Sequence, residues 1–421
     1  MPLLYDLGIG LYQWGIRVSA AFNPKAAKWV QGREQLWDRL EARRGTLNAC
    51  LWMHCASVGE FEQGRPVLEA LRAERPDLPV LLTFFSPSGY EAFKDLPLAT
   101  HVEYLPSDSK ANAERLVALL RPKAVLWVRY EFWLNHLEVL RKAAVPTFLL
   151  SGIFRKEQPF FRWYGAAWRH MARGLDHVFV QDQASRELLR SIGVERATVS
   201  GDTRFDRVAE IVRNSDVLPI AQGFRGSNTT LICGSTWPAD EDLLNEAFRL
   251  LGKAPKCIVA PHELSEQHLT ASAQTFPKPL ARWSELEGTT ESNIANVIGT
   301  EAQGTLLVDR MGLLARLYRY GDVAYVGGGF GEGIHSLLEP AAWGLPVIFG
   351  PRHQKFNEAK GLIASGGGFA VNDAQQLRDV LEALLNDPHH RQRAAEQAKR
   401  YVTEHCGATK RVLQHFRSRV V

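Results

Sequence analysis

Residues 327–351, GGGFGEGIHSLLEPAAWGLPVIFGP, decide the fold, because two strand patterns flank a glycine-rich turn there. The run DVAYV (322–326) is apolar and partly β-branched, as in a buried parallel strand, and LPVIFG (345–350) predicts the next strand. Five glycines within 327–333 let the backbone come close to a ligand. A helix that starts after them would direct unpaired N–H groups at an anion, so we predict a phosphate-binding loop.

Glu339 follows His335 by about one helical turn, so the two side chains share a face if the helix begins near Ile334. An acid at this position can accept both hydroxyls of a ribose. A carboxylate that only complements the helix dipole is an equally good interpretation. The glycines do not fit G-x-G-x-x-G in any register, which disfavours a NAD-dependent dehydrogenase.

The composition is that of an ordinary soluble protein with enough material for two cores: 421 residues, 45% hydrophobic and 23% charged. Five scattered cysteines without metal-ligand spacing favour a reducing compartment and no structural zinc. Residues 391–421 hold eight Lys/Arg against two Asp/Glu, whereas the whole chain has a net charge of +4. This tail is suited to a membrane surface, nucleic acid or a phosphorylated substrate, or it is a solvated helix face.

The N-terminus, residues 1–22, is apolar and aromatic. Only ten uncharged residues separate Asp6 from Arg17, about half of a membrane span, and no basic region precedes the apolar part as in a signal peptide. We therefore predict either a helix in the membrane interface or packing against the first domain. The aromatic and basic residues suited to an interface are Tyr5, Tyr12, Trp14, Trp29, Arg17, Lys25, Lys28 and Arg33.

From residue 51 onward, strand patterns alternate with helical stretches, which predicts parallel sheets covered by helices. We interpret the two series as two Rossmann-like domains that face each other, in an α/β fold. The first series of strands is LWMHCAS (51–57), PVLLTFF (79–85), HVEYL (101–105), KAVLWV (123–128), PTFLLS (146–151) and HVFVQ (177–181). The second is TTLICGST (229–236), CIVAP (257–261), ANVIG (295–299), TLLVD (305–309), DVAYVGG (322–328) and LPVIFG (345–350).

In such sheets ligands bind beyond the carboxyl ends of the strands, so the loops there hold the candidate site residues. Glu60 lies at or just before a helix start, where it is either a catalytic carboxylate or a cap. Glu131 follows another strand, and Arg204 is either a cation for phosphate or an exposed loop arginine. The other polar candidates at strand ends are Ser86, Ser88, Gly89, Ser235, Thr236 and His262.

No nucleophile elbow, Walker loop, H-E-x-x-H or kinase motif occurs in the sequence. Without such machinery, the chemistry that we expect is group transfer from a nucleotide-activated donor to an acceptor. One carboxylate suffices there as general base.

Several short motifs follow one another along the chain. They are SVGE (57–60), SPSG (86–89), E-x-W (131–133), GDTRFD (201–206), GST (234–236), D-x-x-G (309–312), VGGGFGEGIHSLLEPA (326–341) and GLPVIFGP (344–351). In this order they resemble the transferases of 3-deoxy-D-manno-oct-2-ulosonic acid (Kdo) in lipopolysaccharide synthesis, in their Bacteroidetes-like form. The N-terminal residues 5–33 are similar to that group's opening as well, so the resemblance covers nearly the whole chain.

The resemblance implies a GT-B glycosyltransferase that moves Kdo from CMP-Kdo to a lipid A precursor such as lipid IVA. The transfer would invert the anomeric carbon and need no metal or other cofactor, and Glu60 would be the base. The donor-binding residues by this resemblance are Arg204, Ser235, Thr236, Pro261, His262, Gly328, Gly329, His335, Ser336 and Glu339. The acceptor-side residues are Ser57, Gly59, Ser86, Ser88, Gly89 and Glu131.

The resemblance also implies a cellular location and a division into domains. The enzyme would act at the cytoplasmic face of the inner membrane, as a peripheral or N-terminally anchored protein with no nucleic-acid partner. We predict a membrane-associating segment (1–48), an acceptor-side domain (49–206), a CMP-Kdo-binding domain (207–400) and a basic C-terminal helix (401–421) that packs on the first domain.

One position departs from the family's pattern. Ser336 stands where we expect an asparagine after His335, so a hydroxyl replaces a longer amide, which puts its contact in doubt. The alternatives are another GT-B enzyme that uses a UDP-sugar, a sugar-nucleotide epimerase, and a non-catalytic nucleotide-binding membrane scaffold.

Overall fold

The structure, a computed structural model, describes residues 2–129, 131–289 and 303–420. It divides into two compact units. Unit 1 comprises Met1–Arg207 and Cys406–Val421, and unit 2 comprises Val208–His405. The division at 207/208 lies one residue from the domain boundary predicted at 206/207. Residues 1–48 are part of unit 1, and so is the last helix of the chain.

Unit 1 is built on a seven-stranded sheet whose strand order is β3-β2-β1-β4-β5-β6-β7, with every neighbouring pair parallel. The order reverses between β1 and β4, where open α/β sheets form their ligand crevices. The parallel α/β fold predicted from the alternation is thus confirmed, although β7 was not predicted. The strands are β1 Leu51–Cys55, β2 Val80–Phe84, β3 His101–Tyr104, β4 Ala124–Val128, β5 Thr147–Gly152, β6 His177–Val180 and β7 Ala197–Val199.

Helices cover both faces of this sheet. In chain order they are α1 Pro2–Ser19, α2 Pro24–Gly32, α3 Leu36–Ala42, α4 Arg44–Leu47, α5 Val58–Glu74, α6 Pro87–Phe93, α7 Lys110–Leu120, α8 Leu134–Lys142, α9 Ala166–Gly174, α10 Gln183–Ser191 and, near the C-terminus, α21 Ala408–Val420. Helix α11, Thr203–Asn214, includes the division between the units at 207/208. A 3-10 turn lies at Pro159–Phe161.

The two sheet faces of unit 1 bury separate cores, because successive side chains of a strand point to opposite faces. Trp52 and Trp127 belong to one core, which α3 and α4 help to cover. Met53 and Leu126 belong to the other, together with Phe416 of α21. The last helix therefore contributes to the core of unit 1 through its apolar face.

The described residues of unit 2 form a similar parallel sheet with the strand order β10-β11-β9-β8-β12-β13-β14, in which β11 lies between β10 and β9. Here the order reverses between β8 and β12. The predicted strand ANVIG (295–299) lies outside the described residues, and β10 and β14 were not predicted. The strands are β8 Thr230–Thr236, β9 Lys256–Pro261, β10 Leu280–Arg282, β11 Gly304–Leu307, β12 Val323–Val326, β13 Val347–Phe349 and β14 Gly368–Ala370.

The helices of unit 2 again cover two cores, one on each face of the sheet. They are α12 Pro219–Arg225, α13 Pro238–Leu251, α14 Glu266–Thr275, α15 Trp283–Leu286, α16 Leu314–Leu317, α17 Leu338–Trp343, α18 Asn357–Ser365, α19 Ala374–Asn386 and α20 Pro388–His405. A 3-10 turn lies at Tyr318–Tyr320.

Among the described helices, none combines the length and the apolar character that crossing a membrane requires. Side-chain hydrogen bonds join helix α1 to the rest of unit 1. The Tyr5 hydroxyl donates to Asp108 at 2.6 Å, and the Asn135 amide donates to Asp6 at 2.9 Å. Its residues Leu7, Leu11, Trp14 and Val18 remain 48–66% exposed.

Candidate active site

In unit 1, a carboxylate follows β1 at the point where the strand order reverses. Glu60 is the third residue of α5, which begins at Val58, and it is 8% exposed. The backbone N–H of Ala56 donates to Glu60 Oε2 at 2.5 Å. A carboxylate that reaches back from the first helical turn stabilises the helix start, as a capping box does. The contact also fixes the orientation of the carboxylate.

A second carboxyl group, that of Glu131, follows β4 on the other side of the same reversal. The Trp133 indole donates to Glu131 Oε2 at 3.1 Å, and the Trp127 indole donates to the Glu131 carbonyl oxygen at 2.5 Å. Burial raises the pKa of the Glu131 carboxyl to about 7, and the negative charge of Glu60 adds to this rise. The two groups are thus electrostatically coupled, a common arrangement where one carboxyl is a base and the other a proton donor.

Arg33 is a cation next to this pair that the sequence patterns did not single out as a site residue. Its guanidinium lies 3.8 Å from the ring centroid of Trp29 and donates to the carbonyl oxygens of Phe85 and Leu105, which follow β2 and β3. Burial lowers its pKa to about 9. Trp29 and Arg33 were predicted either for a membrane interface or for packing against the first domain. They follow the second alternative, because the 8% exposed Trp29 and the largely buried Arg33 pack inside unit 1.

The remaining acceptor-side candidates begin two helices. Ser57 and Gly59 start α5 beside Glu60, and a Cβ added at Gly59 would meet no atom within 4 Å. Ser86 caps α6 by accepting from the Gly89 N–H at 3.2 Å, and its hydroxyl lies 3.2 Å from that of Ser88. A Cβ at Gly89 would come within 2.5 Å of the Phe84 ring. Ser86 and Gly89 therefore shape the loop after β2.

In unit 2, a buried acid joins the two loops at the reversal between β8 and β12. Asp240 is 1% exposed, and its Oδ2 accepts from the backbone N–H groups of Trp237 and Gly328 at 3.0 and 2.9 Å. Its Oδ1 accepts from the Tyr325 hydroxyl at 2.8 Å. Asp240 thus holds the glycine loop against the start of α13. The sequence feature that could have identified Asp240 is its position in the first turn of α13, because acids that cap a helix occur there.

The glycines of the loop are required mainly by the protein's own backbone. A Cβ at Gly329 would lie 2.6 Å from Gly350 Cα, one at Gly327 would collide with the Ser235 carbonyl oxygen, and Gly328 has φ +89°. The N–H of Gly327 donates to Gly234, while those of Gly331 and Gly333 donate to Gly328. We predicted close approach to a ligand, but the close approaches seen here are between strand-end loops of unit 2.

The expected helix start near Ile334 is wrong, because α17 begins at Leu338. The backbone N–H of His335 instead donates to the Gly327 carbonyl oxygen at 3.3 Å, which keeps the chain irregular before the helix. His335 and Ser336 therefore precede α17, and Glu339 does not share a helix face with His335. Glu339 lies in the first turn, where its charge adds to the burial that raises the pKa of Tyr318.

Three aromatic rings meet beside this loop. The His262 ring stacks on Trp237 with centroids 4.6 Å apart and on His335 at 4.4 Å. The Trp237 indole N–H donates to His335 Nε2 at 3.2 Å. Burial, followed by the neighbouring His262, lowers the pKa of His335 to about 4. The predicted residues His262 and His335 are thus brought together, with Trp237 as a partner that the sequence analysis missed.

The other donor-side candidates have different surroundings. The Thr236 hydroxyl is buried and donates to Glu241 at 2.9 Å, whereas Ser235 is partly exposed in a left-handed turn with φ +52°. Such strain in a non-glycine residue often marks a functional site. Pro261 ends β9 opposite Thr236. Arg204 belongs to unit 1, where its guanidinium donates to Asp202 at 2.7 Å.

Comparisons with known proteins identify the relatives of this chain. Residues 33–207 match the sequence model of 3-deoxy-D-manno-octulosonic-acid transferase (kdotransferase). The 3-deoxy-D-manno-octulosonic acid transferase of Aquifex aeolicus is 28% identical over 80% of this chain and 86% of its own length. That of Bordetella pertussis is 29% identical over 87% and 86%, respectively. This chain is a relative of the Kdo transferases.

The solved structures show that this Kdo transferase relative has a fold of GT-B type. A UDP-GlcNAc 2-epimerase from Neisseria meningitidis, solved with UDP-GlcNAc, superposes with a TM-score of 0.60 at 13% identity. The superposition covers 87% of this chain and 99% of the epimerase. At this identity the likeness concerns the fold alone. The sequence relatives are what support a glycosyltransferase.

Proposed function

We propose that the protein transfers Kdo from CMP-Kdo to a lipid A precursor of the lipid IVA type, with Glu60 as the general base. The observation that carries this proposal is the pair of coupled carboxyl groups at the strand-order reversal of unit 1, within the segment matched to the Kdo transferases. The alignments with the Aquifex aeolicus and Bordetella pertussis relatives cover more than four fifths of each relative's length.

Glu60 suits the role of a base because its carboxylate is oriented and nearly buried. In the proposed step it takes the proton from the attacking acceptor hydroxyl. The acceptor oxygen then bonds to the anomeric carbon of Kdo, while the bond from that carbon to the CMP phosphate oxygen breaks and CMP leaves with the electron pair. Attack from the face opposite the leaving group inverts the anomeric carbon, and the base has the role that it has in inverting hydrolases.

Glu131 complements Glu60 because its pKa of about 7 lets it keep a proton near neutral pH. A protonated carboxyl donates a hydrogen bond, which a second carboxylate at the same place would not. We propose that Glu131 positions a substrate oxygen and that its neutral form limits the repulsion of an anionic substrate. Ser57, Gly59 and Ser88 are then the acceptor-side groups next to the carboxyl pair.

Unit 2 is the proposed nucleotide-binding part. Gly328, Gly329, Ser235 and Ser336 provide small polar surfaces around the strand-order reversal, and the rings of His262 and His335 border it. Because the Gly328 N–H already donates to Asp240, we propose the hydroxyls of Ser235 and Ser336 as neutral donors that stabilise negative charge on a departing phosphate. We therefore propose a transfer that needs no cofactor. Glu339 remains the proposed ribose ligand, and Arg204 a proposed donor-binding cation.

Helix α1 supports the proposed location at a membrane surface. Leu7, Leu11, Trp14 and Val18 recur at helical spacing, so they form one outward apolar stripe, while Tyr5 fastens the other side of the helix to unit 1. Phe22 is 89% exposed just before α2, which has exposed Lys25 and Lys28. An apolar stripe beside cations fits an anionic lipid surface, where we place the enzyme on the cytoplasmic side of the inner membrane.

The test is a transfer assay with the purified full-length chain, CMP-Kdo and a tetraacyl lipid A precursor, with lipid products resolved by mass spectrometry. We expect a product heavier by one or more Kdo units, formed equally well with EDTA. Parallel reactions replace CMP-Kdo by UDP-sugars. Transfer from a UDP-sugar would favour another GT-B enzyme, an altered UDP-sugar without transfer would favour an epimerase, and donor binding without any reaction would favour a scaffold.

A further inference from the structure

The aromatic cluster of Trp237, His262 and His335 contains a hydrogen bond that fixes where His335 holds its proton. A tryptophan indole N–H is only a donor. Its partner at 3.2 Å, Nε2 of His335, must therefore offer a lone pair. An imidazolium ring has no lone pair on either nitrogen, and a ring protonated on Nε2 would direct one N–H at another. Only the neutral ring with its proton on Nδ1 fits the contact.

The surroundings of the ring support the same form. The His262 ring stacks against His335 at 4.4 Å and 24°, and the His335 ring lies beside Gly328, where an added Cβ would come within 3.1 Å of its Cδ2. Burial and His262 lower the pKa of His335 to about 4, which keeps the ring neutral at physiological pH. Within the described residues, no protein acceptor is bonded to His335 Nδ1.

We propose that Trp237 is a positioning residue that holds His335 as the Nδ1-protonated neutral tautomer, so that this N–H is offered to an anionic oxygen of a bound nucleotide. The ligand part rests on the proposed function, whereas the tautomer concerns this chain alone. In this arrangement the Nδ1–H of His335 keeps its direction and its proton when a phosphate binds. A free histidine would be a mixture of two tautomers, only one of which offers this N–H.

The tautomer is tested by long-range nitrogen–proton NMR on the full chain with labelled histidine, where protonated and bare ring nitrogens have well-separated signals. His335→Gln identifies the signals of His335 by their loss. We expect a bare Nε2 and a protonated Nδ1 in the wild type. Trp237→Phe keeps an aromatic ring but removes the donor, so the two nitrogen signals should move towards each other. A wild-type ring protonated on Nε2, or spectra unchanged in Trp237→Phe, overturns the proposal.

The matched control is Trp343→Phe, which removes an indole hydrogen bond to Ala315 elsewhere in unit 2 and should leave the His335 signals unchanged. The ligand is tested by titrating CMP and CMP-Kdo into the same proteins. We expect Trp237→Phe to weaken CMP binding roughly fivefold, the equivalent of one ordinary hydrogen bond. If the wild type has the Nδ1 tautomer but binds neither nucleotide, the tautomer assignment stands and the proposed function is what fails.

Discussion

At the point where its strand order reverses, the sheet of unit 1 has two carboxyl side chains, whereas that of unit 2 has glycines and aromatic rings. The described residues otherwise form similar sheets, each with seven parallel strands and a reversal of strand order, although β11 lies between β10 and β9 only in unit 2. In unit 1 the acids Glu60 and Glu131 are the groups that we propose to take part in proton transfer. In unit 2 the acid Asp240 is buried under the loop and holds backbone N–H groups in place. We therefore propose that similar sheets serve proton transfer in unit 1 and anion binding in unit 2.

The largest effect that this comparison predicts is the loss of Kdo transfer in the variant Glu60→Gln. The amide keeps an oxygen for the Ala56 N–H but is no longer a base, so turnover should fall by roughly 10²- to 10⁴-fold. CMP-Kdo affinity, measured by calorimetry, should stay within about twofold. Glu74→Gln is the matched control, since this exposed glutamate of α5 pairs with Arg417 far along the helix. Substantial turnover in Glu60→Gln would remove Glu60 from the role of base.

The next largest effect is expected for Asp240→Ala, which should weaken the binding of the donor CMP-Kdo. It leaves the N–H groups of Trp237 and Gly328 without their acceptor, and each loss of this kind costs about 1–3 kcal/mol. We expect CMP-Kdo affinity to fall roughly 10- to 100-fold. Asp240→Asn retains an acceptor oxygen and should recover most of the affinity. Equal affinities in the wild type and in a folded alanine variant would contradict the role of Asp240.

A third prediction concerns the coupling of the two acids in unit 1. The carboxyl carbon of Glu131, followed by NMR and identified with Glu131→Gln, should titrate near pH 7 because burial disfavours its ionised form. Glu60→Gln removes a neighbouring negative charge and should lower this midpoint. Trp133→Phe removes a hydrogen bond that favours the ionised form and should raise it. A midpoint near 4.5, the ordinary value for Glu, would contradict the raised pKa, and a midpoint unchanged in Glu60→Gln would show that the two carboxyl groups are not coupled.

The smallest expected effect is on membrane binding by unit 1. Leu11→Glu places a charge in the exposed stripe of α1, and it should weaken sedimentation with anionic vesicles roughly tenfold, as expected for one apolar side chain. Leu250→Glu is the control in unit 2, because Leu250 is also an exposed leucine on a helix. Equal losses in both variants would mean that the stripe is not a specific membrane contact.

The alternation of strands and helices sufficed to predict both parallel sheets, because buried strands are apolar along their whole length. The strands β7, β10 and β14 were missed because a three-residue run has no recognisable period, whereas the equally short β13 was recognised within the apolar run LPVIFG (345–350). The position of Glu60 after β1 followed from the sequence as well. Its coupling to Glu131 did not, since that depends on how β4 pairs with β1.

The errors have a common physical cause, which is contact between residues distant in sequence. The helix expected near Ile334 starts four residues later because Gly327 and Gly328 accept hydrogen bonds from the chain that follows. Arg33 resembles an interfacial cation in the sequence, but it packs on Trp29 and binds the ends of two strands. In the sequence Asp240 resembles an ordinary acid at a helix start, and its bond to the Gly328 N–H is visible only in the structure.

The most direct test measures donor affinity and turnover side by side for Glu60→Gln and Asp240→Ala, with folding verified by circular dichroism. Our account predicts opposite patterns. Glu60→Gln should bind CMP-Kdo like the wild type and fail to transfer Kdo, whereas Asp240→Ala should bind weakly and recover much of its turnover at saturating donor. If Glu60→Gln loses donor binding as severely as Asp240→Ala, the assignment of proton transfer to unit 1 and nucleotide binding to unit 2 is contradicted.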